Sequence, residues 1–217
     1  MNFERIAIFI LFVLHAVGAL GVLFGEGDLI WPLTPFTLLV SGILAMSIAW
    51  PDRTIWWVWV MLGGIFAEII GVQSGLLFGH YHYGTVLGPT VYGVPILLGW
   101  MWLLLLQGSR KPGRSRAHEA CLGATWMMAM DFLIEPVAVR AGWWVWEDAP
   151  EGSWLSHGLE VAGQTIPTWN FVSWWLVSFV LRLIAPSLNT PNSFRVWRTM
   201  WWIMAGFFLI LNLFHLT

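Results

Sequence analysis

Charge is what this sequence has least of. Of 217 residues only 12 are acidic and 10 are basic, 10% in all against 58% hydrophobic, where a soluble domain carries about 25% charged side chains. So few charged groups cannot clothe a body of this size against water, which excludes an ordinary soluble globule. The 18 Trp and 14 Phe would need a buried core larger than the chain can enclose. A net charge of −2 is too small and too evenly mixed to point to nucleic acid or an acidic substrate. Cysteine is nearly missing: the single Cys121 excludes an internal disulfide and any Cys-rich metal site. Absent too are GxSxG, a P-loop and GxGxxG after a strand. There are no Asp-rich pairs of the kind that hold magnesium diphosphates, and Asp131 is the one Asp inside an apolar run. What remains is a chain whose solvent is the bilayer.

Runs long enough to cross about 30 Å of hydrocarbon fall at roughly 6–25, 31–50, 55–77, 91–107, 117–139, 168–186 and 196–216. The first run has no short apolar region with a small-residue cleavage site, so it reads as a span and not as a secretory signal. Backbone polar groups must be satisfied inside lipid, and the alternation of a barrel is missing, so the spans are helices. The expectation is an all-α polytopic membrane protein, residues 1–217 forming a single domain of about seven transmembrane helices. Arg5, Arg53, Arg110, Lys111, Arg114, Arg116, Arg182, Arg195 and Arg198 fall at the N-terminus or in the even-numbered connections. The odd connections hold Arg140 with Glu26, Asp28, Glu147, Asp148, Glu151 and Glu160. Basic residues mark the cytoplasmic side, so a cell-membrane protein with its N-terminus inside and its C-terminus outside is expected. The 110–116 cluster reads as a solvated topogenic loop.

An internal similarity links two of the spans. Glu68-Ile-Ile-Gly-Val-Gln-Ser-Gly75 in the third resembles Glu135-Pro-Val-Ala-Val-Arg-Ala-Gly142 in the fifth, each acid seven residues before its glycine. Each is followed by a short motif opening the next span, Val91-Tyr-Gly-Val-Pro95 with Trp100 and Gln164-Thr-Ile-Pro167 with Trp174. Both acidic helices run the same way, so 55–107 and 117–186 are expected to be parallel repeats about an axis along the membrane normal. At 1.5 Å per residue Glu68 lies about 20 Å, and Asp131 about 21 Å, above the start of its span. Glu135 is one turn higher, on the face of Asp131. Three carboxyls in the outer half of a bilayer are rare unless they face a cavity, pair, or stay protonated, which marks them as candidate catalytic groups.

Gly79-His80-Tyr81-His82-Tyr83-Gly84 follows Glu68 on the same outer side. His80 and His82 with the three acids would make a hard-ligand set. Two His one residue apart cannot share a helix face, however, and the i,i+3 or i,i+4 His patterns of membrane di-iron enzymes are missing, so no metal is expected. The segment reads instead as a polar-tipped aromatic lid at the interface. His15 reads as a satisfied bundle histidine. His118, His157 and His215, near span ends or in a loop, carry no signal.

Together these residues resemble the membrane carotenoid hydratases, the bisanhydrobacterioruberin hydratase and carotenoid 1′,2′-hydratase family. The resemblance covers about 55–180 and rests on Glu68 with Phe78-Gly79-His80-Tyr81-His82-Tyr83, Gly93-Val94-Pro95 with Trp100, Asp131 with Glu135-Pro136 and Gly142-Trp143 with Trp146, and Pro167 with Asn170-Phe171 and Trp174. Where the family has Gly-Val-Pro before the Asn, this chain has Thr165-Ile166-Pro167, keeping the Pro and the Asn. The resemblance implies cofactor-free addition of water to the terminal double bond of an acyclic carotenoid of lycopene or bacterioruberin-precursor type, with membrane lipid as the surroundings.

Such chemistry needs an acid able to protonate carbon, giving a tertiary carbocation, and water delivered to that cation. A carboxyl in a low dielectric can hold its proton at neutral pH, and a second carboxylate can orient and deprotonate water. Aromatic faces stabilise the cation by about 0.5–2 kcal/mol each without becoming nucleophiles. On this reading Glu135 or Asp131 is the proton donor, Glu68 positions water, and Asn170 is an orienting amide. Trp143, Trp146, Tyr81 and Tyr83 form the shielding wall, with His80, His82 and Trp100 at the substrate. Two other readings use the same acids. A cyclase resembling the small membrane lycopene cyclases would capture the cation with an internal double bond, and a non-catalytic carrier of a hydrophobic ligand would use the acids as a proton relay.

Overall fold

The computed structural model describes residues 3–49, 54–111, 113–148, 153, 157–184 and 191–214; Arg53, Glu151 and His215 lie outside them. Helix α1 (Phe3–Leu23) is followed by a short α2 (Gly27–Ile30), which runs through a 3₁₀ turn at Trp31–Leu33 into α3 (Thr34–Ala49). Then come α4 (Thr54–Ser74), α5 (Leu97–Gly108), α6 (Arg116–Arg140), α7 (Thr168–Ile184) and α8 (Pro191–Phe214). Among the described residues five segments are long and apolar enough to cross a membrane: Phe3–Leu23, Gly27–Ala49, Ile55–Ser74, Arg116–Arg140 and Phe194–Phe214. Leu97–Gly108 and Thr168–Ile184 are apolar and shorter. The chain is therefore an all-α, multi-pass membrane protein. Its outer faces carry rings such as Phe9, Phe12, Phe36, Trp59 and Phe66, each more than half exposed, which suits lipid and not water.

The fourth run departs most from the sequence-based expectation. In place of a span beginning at 91, Thr90–Val91 (β2) and Val94–Pro95 (β3) pair as an antiparallel hairpin and the helix starts only at Leu97. Tyr92 (φ 50) and Gly93 (φ 79) both take positive φ, the requirement of the tight turn whose twist matches a hairpin. The same device recurs in the hairpin of β5 (Gly158–Val161) with β6 (Gln164–Pro167), where Ala162 (φ 49) and Gly163 (φ 77) turn the chain ahead of α7. At 1.5 Å per residue α5 covers only about 18 Å. Nine of its twelve residues are buried, so protein and not lipid surrounds it.

The two acidic helices end alike. Gly75 (φ 66) stops α4 and Gly142 (φ 65) stops α6, the left-handed caps that glycine adopts without penalty. Trp143 N–H then donates back to the Ala138 carbonyl at 2.9 Å. At its other end α6 is capped by Ser115, whose hydroxyl oxygen accepts from the His118 N–H at 3.2 Å. Helix α6 is the most deeply buried of the five long helices. Past the caps, β1 (Tyr81–Tyr83) pairs antiparallel with β4 (Trp144–Trp146), Tyr81 opposite Trp146 and Tyr83 opposite Trp144. This two-stranded clasp ties the segment after α4 to the segment after α6, just beyond the ends of the helices that carry the acids.

Candidate functional site

Strand geometry decides which rings face the acids. Residues two apart share a face, so β1 presents Tyr81 and Tyr83 together and β4 presents Trp144 and Trp146 together. Both Tyr hydroxyls donate to Glu68 Oε2, at 2.6 and 2.8 Å. Both indole N–H groups donate to Glu135 Oε2, at 2.9 and 3.0 Å. The remaining oxygen of each carboxyl is met by the helix that follows. Trp102 Nε1 of α5 donates to Glu68 Oε1 at 2.9 Å, and Asn170 Nδ2 of α7 donates to Glu135 Oε1 at 2.9 Å. Asn170 Nδ2 also donates to Asp131 Oδ2 at 2.9 Å. The other oxygen of Asp131 is buried with no hydrogen-bond partner among the described residues.

Close packing makes room for these contacts at two glycines of α4. A Cβ on Gly71 would lie 2.9 Å from the Tyr81 hydroxyl oxygen, and one on Gly64 would lie 2.4 Å from Trp102 Cγ. Any side chain at either place pushes a donor away from Glu68. Trp102 in turn stacks on Trp174, ring centroids 4.3 Å apart and 9° from parallel.

Glu68 and Glu135 line one small cavity together with Phe78, Leu98, Met101, Asn170 and the rings of Tyr81, Tyr83, Trp144, Trp146 and Trp174. Its volume, about 10 Å³, is close to the least that holds one water. All three carboxyls are at most 2% exposed. Asp131 does not reach the cavity wall; it stands behind Glu135, joined to it by the Asn170 amide. Each glutamate has about four lone-pair sites, and three are filled, leaving one on Oε1 for a proton or a water.

Of the residues singled out from the sequence, Glu68, Asp131, Glu135, Tyr81, Tyr83, Trp146 and Asn170 come together here. Four do not. His82 is exposed and its ring nitrogen pairs with Glu147 at 3.0 Å, an arrangement worth little at a solvated surface. His80 is exposed and packs over Gly75, where an added Cβ would lie 2.2 Å from its ring. Trp100 faces α3 and donates to the Leu38 carbonyl at 3.0 Å. Trp143 stands on the opposite face from Trp144, edge-on to Trp31 at 6.0 Å. Among the described residues no three His, Cys, Asp or Glu side chains converge as metal ligands would.

Two rings that serve the acids were not singled out: Trp144, which lines the cavity, and Trp102, which stands behind Glu68 and donates to it. Each carried a signal. Trp144 is the β4 residue that shares a face with Trp146, and Trp102 lies seven residues after Pro95 just as Trp174 lies seven after Pro167.

Over 91 residues the chain is 30% identical to the bisanhydrobacterioruberin hydratase of Haloarcula japonica, a stretch amounting to 37% of this chain and 30% of that protein. The match thus spans less than a third of the relative's length. No solved structure matches. The family described as "Carotenoid biosynthesis protein" matches residues 33–217, a range that takes in all three carboxyls, both aromatic strands and Asn170. On that match across most of its length, the chain belongs to the carotenoid biosynthesis protein family.

Proposed function

We propose that this protein adds water to the terminal double bond of an acyclic carotenoid, without a cofactor, through the carboxyls of its aromatic cavity. The observation that carries the reading is that Glu68 and Glu135 share one water-sized cavity whose other walls are almost all aromatic or apolar. Family membership and the printed name of the Haloarcula japonica relative support the substrate class. Glu135 gives its proton to the less substituted carbon of that double bond, the alkene electron pair forms the new C–H bond, and a tertiary cation is left on the dimethyl-bearing end carbon. Water held by Glu68 attacks the cation, and Glu68 takes the proton that the bound water loses and returns it to Glu135 across the shared cavity, restoring both carboxyls. The net change is one water added per reacted end. Asp131 and Glu135 press against one amide in an apolar interior, where two like charges repel, so the pair keeps a proton between them. The faces of Tyr81, Trp146 and Trp174 shield the cation.

Parallel repeats 55–107 and 117–186 within one membrane domain are part of the same reading. Glu68 with Tyr81, Tyr83 and Trp102 matches Glu135 with Trp144, Trp146 and Asn170, and the antiparallel pairing of β1 with β4 is what an axis along the membrane normal would give. The distribution of the basic residues supports a cytoplasmic N-terminus, with the cavity in the outer half of the bilayer.

The test supplies lycopene to purified protein in detergent and follows pigment mass. Wild type should raise it by one water per reacted end, and Glu135→Gln and Glu68→Gln should each lower product formation by about 10³-fold or more while remaining folded. An isomer of unchanged mass would establish a cyclase, unaltered pigment would establish a carrier, and near-normal turnover by either variant would remove that carboxyl from the chemistry.

A further inference from the structure

The carboxyl cavity is too small for the end of an isoprenoid chain, so the substrate must lie elsewhere before it reacts. A second cavity, of about 280 Å³, sits next to it between α1, α3 and α8. Its floor is closed by His15, Leu38, Trp143, Met204 and Phe208, none more than 7% exposed. Its rim is formed by Val13, Val17, Leu33 and Phe36, which are 37 to 60% exposed on the faces turned to lipid. The mouth therefore opens sideways into the bilayer.

Among the described residues no charged side chain lines this cavity, so a charged ligand would be stranded there and the occupant is neutral and apolar. His15 turns one of its two ring nitrogens to its own helix. Since the Leu11 carbonyl can only accept, the His15 Nδ1–H donates to it at 2.8 Å. The walls include five aromatic rings, those of Trp31, Phe36, Trp143, Phe207 and Phe208. Flat walls suit a rigid conjugated chain better than a saturated one, which loses more freedom on being held.

The two cavities meet at β4. Trp144 lines the carboxyl cavity, and its immediate neighbour Trp143 lines the lateral one. An unbroken series of rings joins them: Trp31 to Trp143 at 6.0 Å, Trp143 to Trp144 at 6.2 Å, Trp144 to Tyr83 at 6.0 Å and Tyr83 to Tyr81 at 5.5 Å. From these contacts we infer that the lateral cavity is the bilayer-side docking site for the conjugated chain of the substrate. It admits an acyclic polyene between α1 and α3 and lays it against Trp143, one residue from the wall that must yield for its end to reach Glu135. This rests on a polyene being the substrate.

The test measures lycopene binding, by the shift and induced circular dichroism of its visible band, in purified Glu135→Gln protein so that turnover does not intrude. Gly18 lines the cavity, and a Cβ there would meet only Phe207 at 3.4 Å. Gly18→Leu and Gly18→Trp should fill the space and weaken binding by about tenfold or more. Gly206→Leu adds bulk where nothing lies within 4 Å, facing a different groove, and should leave binding unchanged. Helical circular dichroism of each variant separates a filled pocket from a failed fold. Undiminished binding in both folded Gly18 variants overturns the inference. So does competition by squalane, a saturated isoprenoid, as effective as that of a second polyene, since the cavity would then be a groove for any acyl chain. If the Gly18 pattern appears while wild type adds no water to lycopene, the docking site stands and the hydratase reading falls.

Discussion

Replacing Asn170 by leucine isolates the part of the site that holds two acids together. Asn170 is 1% exposed and gives both amide hydrogens away, one to Asp131 and one to Glu135, each at 2.9 Å. Leucine has the same heavy-atom branching and is somewhat larger, so the change removes donors without opening a cavity. Hydrogen bonds between helices inside membranes average only about 0.6 kcal/mol, but bonds to charged groups contribute about 1.5–3 kcal/mol. Two bonds therefore span about 1–6 kcal/mol. Asp131 decides where in that range the result falls. Its Oδ1 already has no partner, and losing the Asn170 bond leaves the whole carboxyl buried without one, a further cost of about 1–3 kcal/mol. We expect a loss of about 3 kcal/mol, a fall in Tm of about 6–12 °C for a chain of this length. Thermal unfolding in detergent, followed by helical circular dichroism, measures it. Asn170→Asp removes the same donors and adds a third acid, so it should fall further. Adding Asp131→Asn to it returns an amide to the pair and should recover about 0.5–3 kcal/mol. A leucine variant that melts within about 2 °C of wild type, or an aspartate variant no worse than leucine, refutes the reasoning.

Three other outcomes follow from the same contacts. The double variant Tyr81→Phe with Tyr83→Phe strips Glu68 Oε2 of both donors and should cut hydration by about 10²-fold with the helices intact, whereas Trp100→Phe breaks only the bond to Leu38 and should leave pigment turnover within about twofold of wild type. Gly64→Ala drives a Cβ to 2.4 Å from Trp102 and should lower stability by about 1–3 kcal/mol in a melt where Gly206→Ala is neutral. In a Cys121→Ser background, an impermeant thiol reagent applied to intact cells should label Glu160→Cys and spare Arg114→Cys; the reverse pattern would invert the topology.

The helices were readable from the sequence because lipid imposes one rule, an apolar run of sufficient length, and the chain obeys it wherever it crosses fully. The rule failed at 91–107 because α5 is sheltered by protein. There an apolar run records burial, not span length, and the turn at Tyr92-Gly93 delays the helix to Leu97. The acids stood out for the opposite reason, as costly groups in an apolar setting. The tryptophans did not, since in a chain with 18 of them composition separates none from the rest. Trp143 and Trp144 differ by one residue, and in a strand one residue is the difference between two faces. Only the pairing of β1 with β4 says which face holds the acid, and that pairing joins segments more than 60 residues apart.

The two glutamates have nearly matching surroundings, so what distinguishes their roles lies just outside the match. One turn before Glu135 stands Asp131; one turn before Glu68 stands Gly64, where the Trp102 ring occupies the space. Asp131 is 0% exposed and absent from the cavity wall, so it reaches a substrate only through Asn170 and Glu135. On the proposed reading it is a positioning residue that keeps a proton with Glu135. Asp131→Asn preserves shape and hydrogen-bonding capacity but cannot share that proton. Its turnover should fall about tenfold to 10²-fold, against about 10³-fold or more for Glu135→Gln, and its pH–rate profile should move while that of the Tyr81 and Tyr83 double variant keeps the wild-type shape. Equal losses in Asp131→Asn and Glu135→Gln, with neither profile displaced, would mean that the proton reaches carbon from Asp131 itself and that the cavity opens further toward α6 during the reaction.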